Sequence, residues 1–201
     1  MRTRKQEFLP GFNFKSSFAH GGELAKGKRK TVRPLDLKQA LHVVLRSTRA
    51  QGVFSLLHPN NCDHVHGFTY RIARRLGVRI YRYANVGNHI HLLVRVSSRI
   101  MWKRFIRELA GGIAIIVTGA KKGAALTRPK SNALAEGAKR GFWDHLTFTR
   151  IVLFGKDFKN LCNYMVKNLF EAAGVPMKKY LAQGYQIMSI EKDGIFSGSL
   201  P

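Results

Sequence analysis

The sequence predicts an α+β protein: a single domain in which an antiparallel sheet carries helices packed on it, with elements in the order βαββαβα. Four short runs rich in apolar and β-branched residues alternate with three segments whose apolar residues recur every three or four positions. The two middle runs are joined by only Asn85-Val86-Gly87-Asn88, a link short enough to make them an antiparallel hairpin. Hydrophobic residues make up 45% of the 201 positions, the ordinary share of a chain that builds a core, so one folded domain is expected.

The elements follow in order. Residues 1–34 mix Gly, Lys and Arg with isolated phenylalanines and show no sustained period, which reads as a basic N-terminal arm that orders on a partner. Leu41 to Thr48, "LHVVLRST", is a short β-branched apolar run and reads as a buried strand. From Asn61 onward Val65, Phe68, Ile72 and Leu76 make one helical face, Arg71, Arg74 and Arg75 lie off it, and Gly77 stops the helix. "VRIYRYA" and "HIHLLVRV" are the hairpin strands, and the Gly and Asn residues between them suit positive backbone angles. Ser97 or Ser98 caps a second helix with Trp102, Phe105, Ile106, Leu109, Ile113 and Ile116 in its apolar stripe. The stretch from Gly119 to Gly141 is rich in Gly, Ala, Lys and Arg and reads as a basic loop inside the domain. Leu146 to Phe154 is a fourth strand, and Asp157 is the expected cap of a third helix ending near Gly174, with Pro176 beyond. The domain is thus expected over residues 35–180, with a C-terminal tail over 181–201 that carries little pattern.

Lys and Arg number 35 against 11 Asp and Glu, a net charge of +24 that costs self-repulsion unless a polyanion relieves it. Nucleic acid is the natural partner. No stretch approaches the roughly 20 apolar residues of a membrane-spanning helix, and the first residues lack a signal peptide's apolar segment, so no membrane partner and a cytoplasmic location are expected. Cys62 and Cys162 are too few for a disulfide framework and read as packed thiols.

"NVGNHIHLLVRV" places His89 and His91 two positions apart on a strand, so both imidazoles share one face while Ile90 and Leu92 take the other. That is a metal-ligand geometry; the plainer alternative is a pair of hydrogen-bonded histidines on a solvated sheet face. In the other such pair, His64 and His66 of "CDHVHG", the side chains diverge by about 200° around a helix and do not easily share a metal. A zinc hydrolase using them with Cys62 would lack a fourth ligand. On the third helix Phe158, Leu161, Met165, Leu169 and Ala172 form the apolar face, and Tyr164 and Asn168 lie one turn apart along its border. If that helix crosses the strand bearing His89 and His91, a phenol and an amide oxygen reach the same point as the imidazoles. Otherwise it is an ordinary amphipathic helix with a half-exposed tyrosine.

The element order, "VGNHIHLLV", "FWDHLTFTRIV" and "LCNYMVKNLFEAA" resemble the single-tyrosine HUH transposases, in particular the REP-associated tyrosine transposases of bacteria, over roughly Arg33 to Gly174. The family's strand motif reads Asn-His-hydrophobic-His-Leu-Leu-Val and its catalytic helix carries Tyr followed four residues later by Asn or Gln; His89/His91 and Tyr164/Asn168 meet both spacings. This chain has Val86-Gly87 where the family commonly has Met-Pro, and Asn168-Leu169 where it commonly has Asn-Pro. The resemblance implies a ferredoxin-like HUH nuclease core and Mg²⁺ or Mn²⁺ held by His89, His91 and Asn168. It further implies a single-stranded hairpin DNA substrate and Tyr164 as the nucleophile that forms a 5′-phosphotyrosine. Activity as a monomer or as a homodimer stays open.

The basic surplus must then supply phosphate contacts, for which Arg33, Arg46, Arg49, Lys103, Arg104 and Arg107 are the candidates; Lys167 could also help ionise the tyrosine. Tyr81, Tyr83 and Trp143 are candidate stacking platforms for unpaired bases. The competing functions are a domesticated relative that binds hairpin DNA or RNA without cutting and a basic RNA-binding module of the ribosomal type.

Overall fold

The computed structural model describes residues 18–28, 31–120 and 141–174. Its elements are β1 (Ala19–His20), β2 (Ala40–Arg46), α1 (Pro59–Arg75), β3 (Arg79–Asn85), β4 (His89–Arg95), α2 (Arg99–Thr118), β5 (Phe148–Val152) and α3 (Lys156–Ala172). The expected βαββαβα order is met, with β1 added before it. The strands form one antiparallel sheet in the order β1-β5-β2-β4-β3, in which β5, β2, β4 and β3 have the ferredoxin-like arrangement.

Two layers pack on this sheet. One cluster joins Leu41, Val43 and Leu45 of β2, Ile90, Leu92 and Val94 of β4 and Ile151 of β5 to Val65 and Ile72 of α1 and to Trp102, Phe105, Leu109 and Ile113 of α2. The other joins Ala40, Ala84, Leu93 and Val152 to Phe158, Leu161, Cys162 and Met165 of α3, with Tyr81 and Tyr164 against it. The pleat sends alternate residues of β2 and β4 to opposite layers. A β-bulge between Ile80 and Arg82 interrupts that alternation in β3, which is why Tyr81 joins the α3 layer while Tyr83 joins the other.

Several local readings change in the structure. Ser98 does cap α2, its hydroxyl accepting from the Met101 N–H. Asp157 is not the cap of α3: Gly155 occupies that position, and the Asp157 carboxylate instead accepts from the Leu153 N–H and from Arg150. The asparagines of the hairpin do not take positive φ; Gly87 alone does, at 88°, while the Asn85 side chain ties the turn to Leu56 O and to the Gly87 N–H. From Phe18 to Lys28 the N-terminal segment lies along its own chain, with β1 pairing along β5. The rest of the arm before residue 18, the loop centre at 121–140 and the tail lie outside the described residues.

Candidate active site

The turn that presents His89 is braced from two sides: the Leu56 N–H donates to Gly87 O at 2.8 Å and the Ser47 N–H to Asn88 O at 2.9 Å. Beyond it, β4 turns His89 and His91 toward α3, with ring centroids 4.7 Å apart. His91 is 1% exposed, and Tyr164 of α3 stands over it edge-on, centroids 5.8 Å apart with the planes at 89°. The structure therefore gathers three of the four predicted groups, both imidazoles and the phenol, at one place between sheet and helix. Asn168 follows Tyr164 one turn along α3, half-buried, with its Nδ2 buried and without a hydrogen-bond partner among the described residues.

Proton placement follows from the neighbours. Asn88 Oδ1 can only accept, so the His89 Nδ1 beside it, at 2.5 Å, carries the hydrogen and His89 Nε2 keeps its lone pair. His91 Nδ1 lies 3.0 Å from Nε2 of His42, and His91 Nε2 is buried with no partner among the described residues. Burial, then Arg46, holds the His89 imidazole down to about pKa 4; burial, then Arg150 and His89, holds His42 down to about 3. His91 is pushed well below the ordinary histidine value, first by burial and then by the two other imidazoles. All three are neutral at pH 7, the form that donates a lone pair to a metal.

Two imidazole nitrogens on one strand face, one of them orphaned in the interior, and an amide one turn from a phenol would fit a divalent cation of borderline hardness. Among the described residues no three His, Cys, Asp or Glu side chains form a metal-holding group. The same fact disposes of Cys62, His64 and His66 as a zinc site; His66 instead packs on Tyr70 and Tyr83, at 4.7 and 5.2 Å.

The predicted cations scatter. Arg46 opposes His89 across the β2–β4 ladder, half-buried beside the site. Lys167 is on α3 but exposed, and pairs with Glu171 at 3.6 Å, a surface contact that leaves it available. Arg49 is exposed at the end of β2, donating to Gly141 O at 3.3 Å. Lys103, Arg104 and Arg107 are all exposed on α2, across the sheet from Tyr164. The Arg33 guanidinium donates to Thr147 O at 2.8 Å and to Thr149 Oγ1 at 2.5 Å and lies over Trp102, a tie for the N-terminal segment. The stacking platforms are likewise engaged. Tyr81 packs on Phe154 and Phe158, Tyr83 on His66 and Tyr70, and the Trp143 indole donates to Ala110 O.

Sequence reasoning missed His42. It sits inside the apolar run of β2, and the only trace of its role is that an imidazole in such a strand needs a buried partner; the partner becomes visible once β2 and β4 are in register.

No protein-family model and no curated protein matches the chain. Among solved structures, it is similar to a REP-associated tyrosine transposase bound to a REP hairpin, at 12% identity over 87% of this chain and 98% of that one, with a TM-score of 0.49. It is also similar to a candidate transposase from Deinococcus radiodurans, at 15% identity over 72% of this chain and 97% of that one, with a TM-score of 0.39. The functional reading rests on the residues themselves. Among the described residues no helix is long and apolar enough to cross a membrane.

Proposed function

We propose that the chain is a metal-dependent single-stranded DNA endonuclease and strand transferase, a transposase of the single-tyrosine HUH type, acting on hairpin DNA through a 5′-phosphotyrosine. The observation that carries this reading is the packing of Tyr164 over His91 beside His89, with the buried Nε2 of His91 left without a partner among the described residues. A hydrogen-bonded pair of surface histidines would have no reason to leave a buried nitrogen unpaired beneath a tyrosine.

In this reading His89 Nε2, His91 Nε2 and the Asn168 amide oxygen hold Mn²⁺ or Mg²⁺, the mixed nitrogen and oxygen set suiting Mn²⁺ better. An ion held there would supply polarisation of the scissile phosphate and stabilisation of its developing charge. Tyr164 Oη attacks phosphorus in line; the bond to the 3′ oxygen breaks, that oxygen takes up the proton given by the phenol, and the 5′ side stays on the tyrosine. A 3′-hydroxyl from another strand reverses the step and releases Tyr164, so cleavage and joining are one exchange. The packing of Tyr164 against the α3 layer limits the phenol's freedom and holds it beside the imidazoles. Arg46 is the cation best placed to meet the backbone at the cut, and Lys103, Arg104 and Arg107 would serve DNA that continues around the molecule.

The test is incubation with labelled single-stranded hairpin DNA and Mn²⁺ or Mg²⁺, followed by denaturing gels. A covalent protein–DNA band that vanishes with chelator and with Tyr164→Phe is expected. Tight hairpin binding with no band under any metal would instead identify a domesticated binder.

A further inference from the structure

His42 has no place in the mechanism above, yet it is 7% exposed, in direct contact with His91 and on the layer that faces α3. The β2–β4 register explains the contact. His91 opposes Val44 and His42 opposes Leu93, so the two histidines are diagonal neighbours on one face, a separation that aromatic side chains can bridge. Their rings are nearly parallel, 7° apart, but the centroids are 5.2 Å apart while the nearest nitrogens are 3.0 Å apart. That combination places the rings edge to edge, joined through Nε2 of His42 and Nδ1 of His91, not stacked face to face. Phe148 packs edge-on against His42 at 6.1 Å and limits its rotation.

One hydrogen lies between the two nitrogens, and where it resides decides what His91 can do. If His42 donated it, His91 Nδ1 would be the acceptor and the hydrogen of His91 would sit on Nε2, leaving a buried N–H without a partner. Orphaned buried donors are rarer than orphaned acceptors. If His91 donates, its Nε2 is a lone pair in the space beside His89 and under Tyr164, and Nδ1 of His42 keeps that ring's own hydrogen.

We propose that His42 is a positioning residue: it accepts the Nδ1 hydrogen of His91 and thereby holds His91 in the tautomer and ring orientation that turn its Nε2 lone pair toward a divalent cation beside Tyr164. The proposal rests on the metal site of the function proposed above. Outer partners of this kind are worth about 10–100-fold in metal affinity.

The experiment has two arms. In the metal-free protein, long-range ¹H–¹⁵N correlation spectra of the imidazoles report which nitrogen of His91 carries hydrogen; Nδ1 protonated and Nε2 bare is expected. In titrations with Mn²⁺ alone, His42→Phe, which keeps an aromatic ring and removes the acceptor, should raise the Kd by about 10–100-fold, and His42→Asn, whose oxygen can accept, should recover part of the loss. A hydrogen on Nε2 of His91 in the wild-type protein overturns the proposal, as does an unchanged Kd in His42→Phe. If His42→Phe does not fold, the wild-type tautomer and the His42→Asn titration still decide. If the wild-type protein binds no Mn²⁺, the metal site itself fails, while the tautomer measured without metal judges His42 separately.

Discussion

The two faces of strand β4 are chemically unlike. Ile90, Leu92 and Val94 face α1 and α2 and are completely buried among aliphatic and aromatic side chains. His89 and His91 face α3 with Leu93, and the neighbouring strands offer them small residues, Ala40 and Ala84, and a third imidazole, His42. On the first face each side chain removes apolar surface from water and leaves no polar atom to satisfy. On the second, two residues of seven are imidazoles, and the buried Nε2 of His91 is unpaired among the described residues, at a cost that packing alone does not explain. In the proposed function one strand thus carries stability on one side and chemistry on the other, and the period of two keeps them apart.

The contrast can be broken first at its chemical end. Tyr164→Phe removes one hydroxyl and should lower strand cleavage by on the order of 10⁴-fold or more while circular dichroism and melting stay close to wild type. A residual rate within about tenfold would mean that another group is the nucleophile. At the structural end, Leu92→Ala should cost about 2–5 kcal/mol in urea unfolding, because a fully buried side chain leaves a cavity. The molecules that remain folded should still bind Mn²⁺; a variant that keeps full stability would put Leu92 outside the core.

Acid sharpens the same difference. The three imidazoles stay neutral in the folded metal-free protein down to about pKa 4 for His89 and about 3 for His42, whereas histidines of the unfolded chain take up protons near 6.5. Between those limits the unfolded state binds more protons, so stability falls as pH drops from about 6.5 toward 4 and is insensitive to these groups above about 7. Unfolding measured at steps from about pH 7.5 to about 4.5 should show that slope, and His42→Phe should flatten it. The smallest effects belong to the α2 surface: changing Lys103, Arg104 or Arg107 singly to Gln should weaken hairpin binding a few-fold and reduce the salt dependence by about one phosphate contact each. Arg46→Gln should act on cleavage as well as on binding. If the α2 changes alter cleavage of bound DNA as Arg46→Gln does, the separation of the two layers is wrong.

Much of this was readable in the sequence because long periodic segments announce themselves. Four strands, three helices and the hairpin follow from apolar spacing, and His89, His91, Tyr164 and Asn168 stand out because their spacings place them on shared faces. What escaped depends on pairing in space. Strand β1 is two residues long, carries no period, and exists through its ladder with β5 and the Arg33 tie to Thr147 and Thr149. His42 hides in an apolar run until register sets it diagonal to His91. Arg33 and Lys103 look alike as charges in a string, yet one is half-buried over an indole and the other is exposed on α2.

The central claim, that the α3 face of the sheet is a metal-assisted tyrosine nuclease site, is tested most directly by identifying the residue that becomes bonded to DNA. Wild-type protein treated with hairpin DNA and Mn²⁺ would be digested with nuclease and protease and its peptides weighed by tandem mass spectrometry. A nucleotide phosphate attached through its 5′ end to Tyr164, absent when chelator is added or His91 is replaced by Ala, is the predicted result. A nucleotide on any other residue, or intact Tyr164 peptide from protein that has cut the DNA, would contradict it.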